Sequence, residues 1–179
     1  MKEEIKKLEG RIWIVGDSID TDLIVPSRVL TEQNSEKMLE ATLELVIPDF
    51  HKLVKKGDFI IAGKNFGCGS SREEAVYVLK QLGVGGIIAF SFARIFFRNC
   101  INLGLLPIVI KKENGSSYSI PSDLGNQGDL ISIDLKNNVI YNHISNRKFT
   151  FHPFTPFLQK YLDKNGAFFY VKEQLKHLK

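Results

Sequence analysis

Only two cysteines occur in 179 residues, Cys68 and Cys100. A disulfide-stapled scaffold needs several pairs, and an iron–sulfur cluster needs three or four thiolates, so this chain is expected to hold neither. The same scarcity fits a reducing, cytoplasmic setting. No apolar run approaches the ~20 residues that span a bilayer, and Met1-Lys2-Glu3-Glu4-Ile5 lacks the apolar core of a signal peptide, so no membrane association is expected. The four histidines, His51, His143, His152 and His177, show no ligand spacing, and no metal is assigned to the chain. Lys and Arg number 24 against 20 Asp and Glu, a net charge of +4 that is spread rather than gathered into a stripe. Nucleic acid is therefore not an expected partner. With 44% hydrophobic and 25% charged residues, what remains is an ordinary globule, long enough for one domain over 1–179.

The stretch 63–75 organises the rest. Phe59-Ile60-Ile61-Ala62 leads in and reads as a short buried strand. Ala75, Val78, Leu79 and Leu82 lead out on one helical face. A strand, a glycine loop and a helix in that order aim backbone N–H groups at an anion. Gly63, Gly67 and Gly69 permit positive φ and close ligand approach. Ser71 and Glu74 fit a capping box, which leaves Ser70 free. Arg72 falls in the first helical turn, where a cation is disfavoured by roughly 0.3–1 kcal/mol, so a negative group is expected in front of it. The loop is not a P-loop, since G-x-x-x-x-G-K-[ST] is absent, and no glycine two residues after either serine makes a nucleophile elbow. The plain alternative is a capped strand-to-helix turn.

Taken in order, 1–9 reads as frayed or a short helix, 10–16 as a first strand, and 17–33 as a long loop without period. Residues 35–45 are helical by pattern, 48–51 form a loop, and 57–58 a turn. Strand, helix, strand, helix and strand over 59–110 predict a parallel sheet whose ligand lies at the strands' carboxyl ends. A polar stretch at 113–127 precedes strands near 130–135, 139–141 and 147–151, an antiparallel, barrel-like region. Residues 156–163 read as a helix, and 166–170 fit either helix or strand. The fold class is α/β: a parallel βαβαβ core with an antiparallel β region.

Asn65-Phe66-Gly67-Cys68-Gly69-Ser70-Ser71-Arg72-Glu73 resembles the signature of the small subunits of 3-isopropylmalate dehydratases, in the aconitase superfamily. Asp20-Thr21-Asp22-Leu23-Ile24-Val25-Pro26 resembles that family's D-T-D-x-I-x-P segment, and 91–99 its S-F-A-R-I-F-x-R-N segment. The resemblance implies the swivelling β/β/α domain of the aconitase C-terminus. It also implies a hydro-lyase of leucine biosynthesis that interconverts 2- and 3-isopropylmalate by dehydration and rehydration. The substrate would be a small dicarboxylate hydroxy acid. A 4Fe–4S cluster would act as Lewis acid in a large partner subunit. By the same resemblance Ser70 matches the catalytic base, Arg72 the cation serving its alkoxide and a substrate carboxylate, and Asp22 the acid near the leaving hydroxyl.

Relatives that take an extra carboxylate often carry an arginine just after the leucine matching Leu30, where this chain has Thr31. Substrate contacts are therefore expected from Ser71, Val29, Leu30 and Thr31. Arg28 is the competing consideration, since turned inward it would admit homoaconitate or citrate. A homoaconitase-like or dimethylmalate dehydratase subunit stays open as an alternative, as does a non-enzymatic anion- or RNA-binding module. Arg94 and Arg98 share a helix face, where structural pairing or contact with a partner subunit outweighs substrate contact. Cys68 reads as a packing residue.

Overall fold

The computed structural model describes residues 7–31, 34–70, 72–112 and 121–176. Seven strands form one sheet in the order β4-β3-β2-β1-β5-β6-β7. They are β1 (Lys7–Ile14), β2 (Phe59–Ala62), β3 (Gly86–Ala89), β4 (Leu106–Val109), β5 (Leu130–Asp134), β6 (Val139–Asn142) and β7 (Lys148–Thr150). The first strand serves both halves. Its beginning runs antiparallel to β5, from Lys7 opposite Asp134 to Arg11 opposite Leu130. Its end runs parallel to β2, from Ile12 opposite Phe59 to Ile14 opposite Ile61. β2, β3 and β4 continue in parallel, and β5, β6 and β7 antiparallel. Beyond the two outer strands, Ile110 bridges Phe151, with the Lys111 amide donating to the Thr150 carbonyl and the His152 amide to the Val109 carbonyl, both at 2.9 Å. The sheet thus curls until its two edges touch, as the barrel-like reading expects.

Burial explains why the central strands are apolar without alternation. Phe59, Ile61 and Ile88 point to a core inside the curl with Ile131, Ile133, Ile140 and Phe149. Ile60, Ala62, Ile87 and Ala89 point the other way, under the helices. Both faces of these strands are covered, so every position is apolar. The covering helices are α5 (Glu73–Gln81), through Ala75, Val76, Val78 and Leu79, and α6 (Arg94–Leu103), through Phe96, Cys100 and Ile101.

The remaining helices are α1 (Thr21–Ile24), α2 (Ser27–Leu30), α3 (Ser35–Glu40), α4 (Phe50–Leu53), α7 (Pro156–Asp163) and α8 (Ala167–Lys176). Several depart from the sequence expectations. Residues 7–9 extend the first strand, because β5 offers them ladder partners. The region 17–31 contains two four-residue helical turns rather than one long loop. Asp20 Oδ1 caps the first by accepting from the Leu23 amide at 2.8 Å. Four residues are too few to display a 3.6-residue period. The same holds for α4, where a loop was expected. α5 begins one residue later than the capping-box spacing implies, with Arg72 in the cap position and no side-chain cap. Residues 167–170 are helical. The expectations for 1–6, for 113–120 within the polar stretch and for Ser71 fall outside the described residues.

At the amino end of the parallel strands lies a buried charge. Asp58, 4% exposed, stands immediately before β2. Its carboxylate accepts from Arg11 Nη2 at 2.6 Å, from Arg11 Nε and the Arg11 amide, from Trp13 Nε1 at 2.9 Å, and from the Lys55 amide at 2.9 Å. Burial pushes the carboxyl up, but the bonds from Arg11, Lys55 and Trp13 outweigh it and hold the group below its ordinary value.

Candidate active site

The three motif stretches meet at the opposite end of the sheet, beyond the carboxyl ends of β1, β2 and β3. Backbone bonds stitch them together. The Ser18 amide donates to the Lys64 carbonyl, Gly67 to Ile19, and Thr21 to Cys68, at 2.8 to 2.9 Å. On the other side the Phe66 amide donates to Ser91, the Ala93 amide to Phe66, and the Asn65 amide to Ser91 Oγ at 2.8 Å. Gly67 shows why glycine is needed. Its φ is +76°, and a Cβ there would lie 2.1 Å from Cγ of buried Phe96. Phe66 packs edge-on against Phe92 and Phe96, so the loop rests on an aromatic floor from the third motif.

This frame presents Ser70 outward. Its carbonyl accepts from Thr21 Oγ1 at 3.2 Å and from the Arg72 amide at 2.8 Å. Among the described residues its hydroxyl has no hydrogen-bond partner, and the residue is exposed. Gly69 precedes it with φ +88°. A cleft of about 550 Å³ opens beside it, walled by Gly67, Gly69, Arg94, Ile95 and Arg98.

On the other side of the serine the sequence expectation of a negative group before Arg72 is met within the chain. Arg72 Nη1 donates to Asp22 Oδ1 at 2.6 Å and Nη2 to Ser27 Oγ at 3.2 Å. The Ser27 hydroxyl and amide also donate to Asp22 Oδ1. These bonds, from the Ser27 hydroxyl first and Arg72 next, lower the Asp22 carboxyl to about 2. The arginine side chain is 19% exposed and the aspartate side chain 53%, so the arginine is held by its surroundings while its anionic partner stands open to water. Such an arginine can exchange one carboxylate for another, because the incoming group finds the fork already oriented.

The structure brings Asp22, Ser70 and Arg72 to one rim, but not all of the expected specificity residues. Arg28 pairs with Glu44 in a separate hollow that also includes Lys37, Glu40 and His51. Val29 is 3% exposed within the core, which leaves a ligand almost no surface. Leu30 packs partly buried against the same core. Thr31 is exposed, its hydroxyl donating to the Arg28 carbonyl at 3.1 Å. Ser27 was missed: it lies five residues from Asp22 across a break between two short helices, a spacing no periodic pattern marks. Arg94 and Arg98 line the serine's cleft, and among the described residues neither has an intrachain partner, so of the expected alternatives pairing within the chain is not seen.

The donor set does not fit a metal cluster. Cys68 is half-buried, its thiol 3.5 Å from the Ser18 carbonyl, and Cys100 lies in the core with its thiol pushed well up by burial. Among the described residues no three His, Cys, Asp or Glu side chains converge. No helix of the described residues is long and apolar enough to cross a membrane.

Residues 19–113 match the model of the aconitase C-terminal domain family. The chain is 44% identical over 172 residues to a 3-isopropylmalate dehydratase small subunit of Nautilia profundicola, covering 96% of this chain and 98% of that one. It is 41% identical over 159 residues to a methanogen homoaconitase small subunit of Methanothermobacter thermautotrophicus, covering 89% and 87%. Among solved structures it is similar to a 3-isopropylmalate dehydratase from Methanocaldococcus jannaschii. There the TM-score is 0.85 and the identity 35%, over 96% of this chain and 97% of that one.

Proposed function

The chain belongs to the aconitase C-terminal domain family, and from that premise we propose that it acts as the small subunit of a 3-isopropylmalate dehydratase. Its role is to supply the base and a carboxylate contact to a larger partner. The observation that supports this most is the convergence of Ser70, Arg72 and Asp22 on one exposed rim at the carboxyl ends of the parallel strands. The reaction removes a proton from carbon beside a carboxylate, expels a hydroxyl from the neighbouring carbon, and returns water with the positions exchanged. Ser70 Oγ takes the proton as an alkoxide. A serine hydroxyl is far too weak an acid to ionise unaided, and burial alone would raise its pKa further, so its proton leaves to water and the oxyanion is held by neighbouring donors. Once water is excluded, Arg72 and the loop's backbone N–H groups stabilise the oxyanion. Arg72 also offers its fork to a substrate carboxylate, with Asp22 yielding its place and turning toward the departing hydroxyl. The 4Fe–4S Lewis acid of this reaction type belongs to the large subunit in this reading, because this chain's cysteines do not fit one.

The homoaconitase relative keeps a tricarboxylate as the second reading. Two placements favour the apolar branch of isopropylmalate: Arg28 is engaged by Glu44 away from Ser70, and Thr31 puts no cation at the end of α2. Activity is tested by reconstituting the chain with its large subunit. Turnover of isopropylmalate is expected to exceed that of homoaconitate. Ser70→Ala is expected to abolish turnover while KM changes less than about threefold, since proton abstraction matters only in the transition state. Near-normal turnover in that variant would assign Ser70 to loop structure alone.

A further inference from the structure

We infer that Arg94, Ile95 and Arg98, at the start of α6, form the seat for an acidic segment of the large subunit; this rests on the two-subunit reading above. Helix α6 opens with Arg94 in its first position, Ala93 as a cap without a side-chain hydrogen bond, and no acidic residue in its first turn. Its amide dipoles and two guanidiniums one turn apart therefore add like charge in one place. Among the described residues nothing in the chain offsets it, whereas Arg72, likewise at a helix start, has Asp22. Arg94, Ile95 and Arg98 are all exposed, and Ile95 is 50% exposed between the cations. An apolar side chain flanked by arginines is the composition of an interface anchor.

Position favours a protein over a substrate as the occupant. The two arginines border the Ser70 cleft on one side and a second hollow, with Phe92, Phe97 and Val109, on the other. They stand on a ridge between two depressions, not at the closed end of one. A small dicarboxylate fills one hollow, while a surface laid over the ridge covers both and closes the cleft beside the serine. Carboxylates are the complementary chemistry, and bidentate pairing would fix the register of the two subunits over Ser70.

The test measures assembly without substrate, by titrating the large subunit against this chain in a calorimeter or by sedimentation. R94E/R98E is expected to raise Kd at least 100-fold and to abolish the salt dependence of wild-type association, and R94A/R98A to weaken it about tenfold. Both variants are checked for an unchanged near-ultraviolet circular dichroism spectrum. Wild-type Kd in the charge-reversed variant overturns the seat. So does a variant that assembles normally but shows a tenfold higher KM, which would assign the cations to substrate. A wild-type pair that assembles with this salt dependence yet turns over no isopropylmalate removes the activity reading and leaves the seat standing.

Discussion

Two arginine–aspartate pairs sit at opposite ends of the same parallel strands, and they differ in which partner is buried. In Arg11–Asp58 the acid is enclosed, its side chain 5% exposed, and bonds from three residues converge on it. In Arg72–Asp22 the acid is 53% exposed and the base is the sheltered member. A buried carboxylate has no alternative to its donors, so the first pair is fixed structure. A sheltered guanidinium facing an open carboxylate can trade partners, so the second pair is suited to a site. Identical contact lengths of 2.6 Å do not distinguish them; solvent does.

The largest effect that would break this contrast is on stability. Asp58→Ala leaves Trp13 Nε1 and the Lys55 amide without their acceptor and Arg11 with the Leu53 carbonyl alone, and is expected to cost about 3–5 kcal/mol in urea unfolding. Asp22→Ala is expected to lower the unfolding midpoint far less, because Asp22 itself stands in water and sheltered Arg72 keeps Ser27 Oγ as an acceptor. Equal losses from both would erase the distinction.

Turnover should respond the other way. Arg72→Lys keeps the charge but loses the fork, and in the reconstituted complex it is expected to lower kcat/KM by about 10²–10³ without moving the midpoint. Arg11→Lys should leave the kinetics of the folded complex unaltered.

The smallest effect lies in acid. Both carboxyls sit below their ordinary value of 3.8. A lowered pKa gives stability that is complete above the unfolded value and lost as pH falls through the folded one. Asp58 should therefore contribute fully above about pH 4 and fade below it. Asp58→Asn is expected to flatten stability against pH in that window. Asp22→Asn should not, even though Asp22 falls to about 2, because water screens an open pair.

The central sheet was legible because burial on both faces leaves unbroken apolar runs such as Phe59-Ile60-Ile61-Ala62. That Ser70, Arg72 and Asp22 lie near one another was legible through motif order, and the anion before Arg72 was anticipated in kind though not by identity. Ser27 was not, since its bond to Arg72 exists only once two chain segments 45 residues apart have met, and its bonds to Asp22 cross a break between two short helices. Arg28 was undecidable for the same reason: Glu44, 16 residues away, draws it aside. The single-turn helices at 21–24, 27–30 and 50–53, of which only the first has a side-chain cap, fall below the length at which periodicity speaks.

The bridge between Ile110 and Phe151 bears on the life of a subunit that has not yet met its partner. An open seven-stranded sheet would offer unpaired amides on two outer strands, a template for strand invasion by neighbouring copies. Here the chain just beyond β4 meets the chain just beyond β7, so part of each edge is already paired before the chain assembles. Phe151 is fully buried beside that bridge, so Phe151→Ala is expected to loosen the core as a whole and, with it, to expose both edges to association between copies.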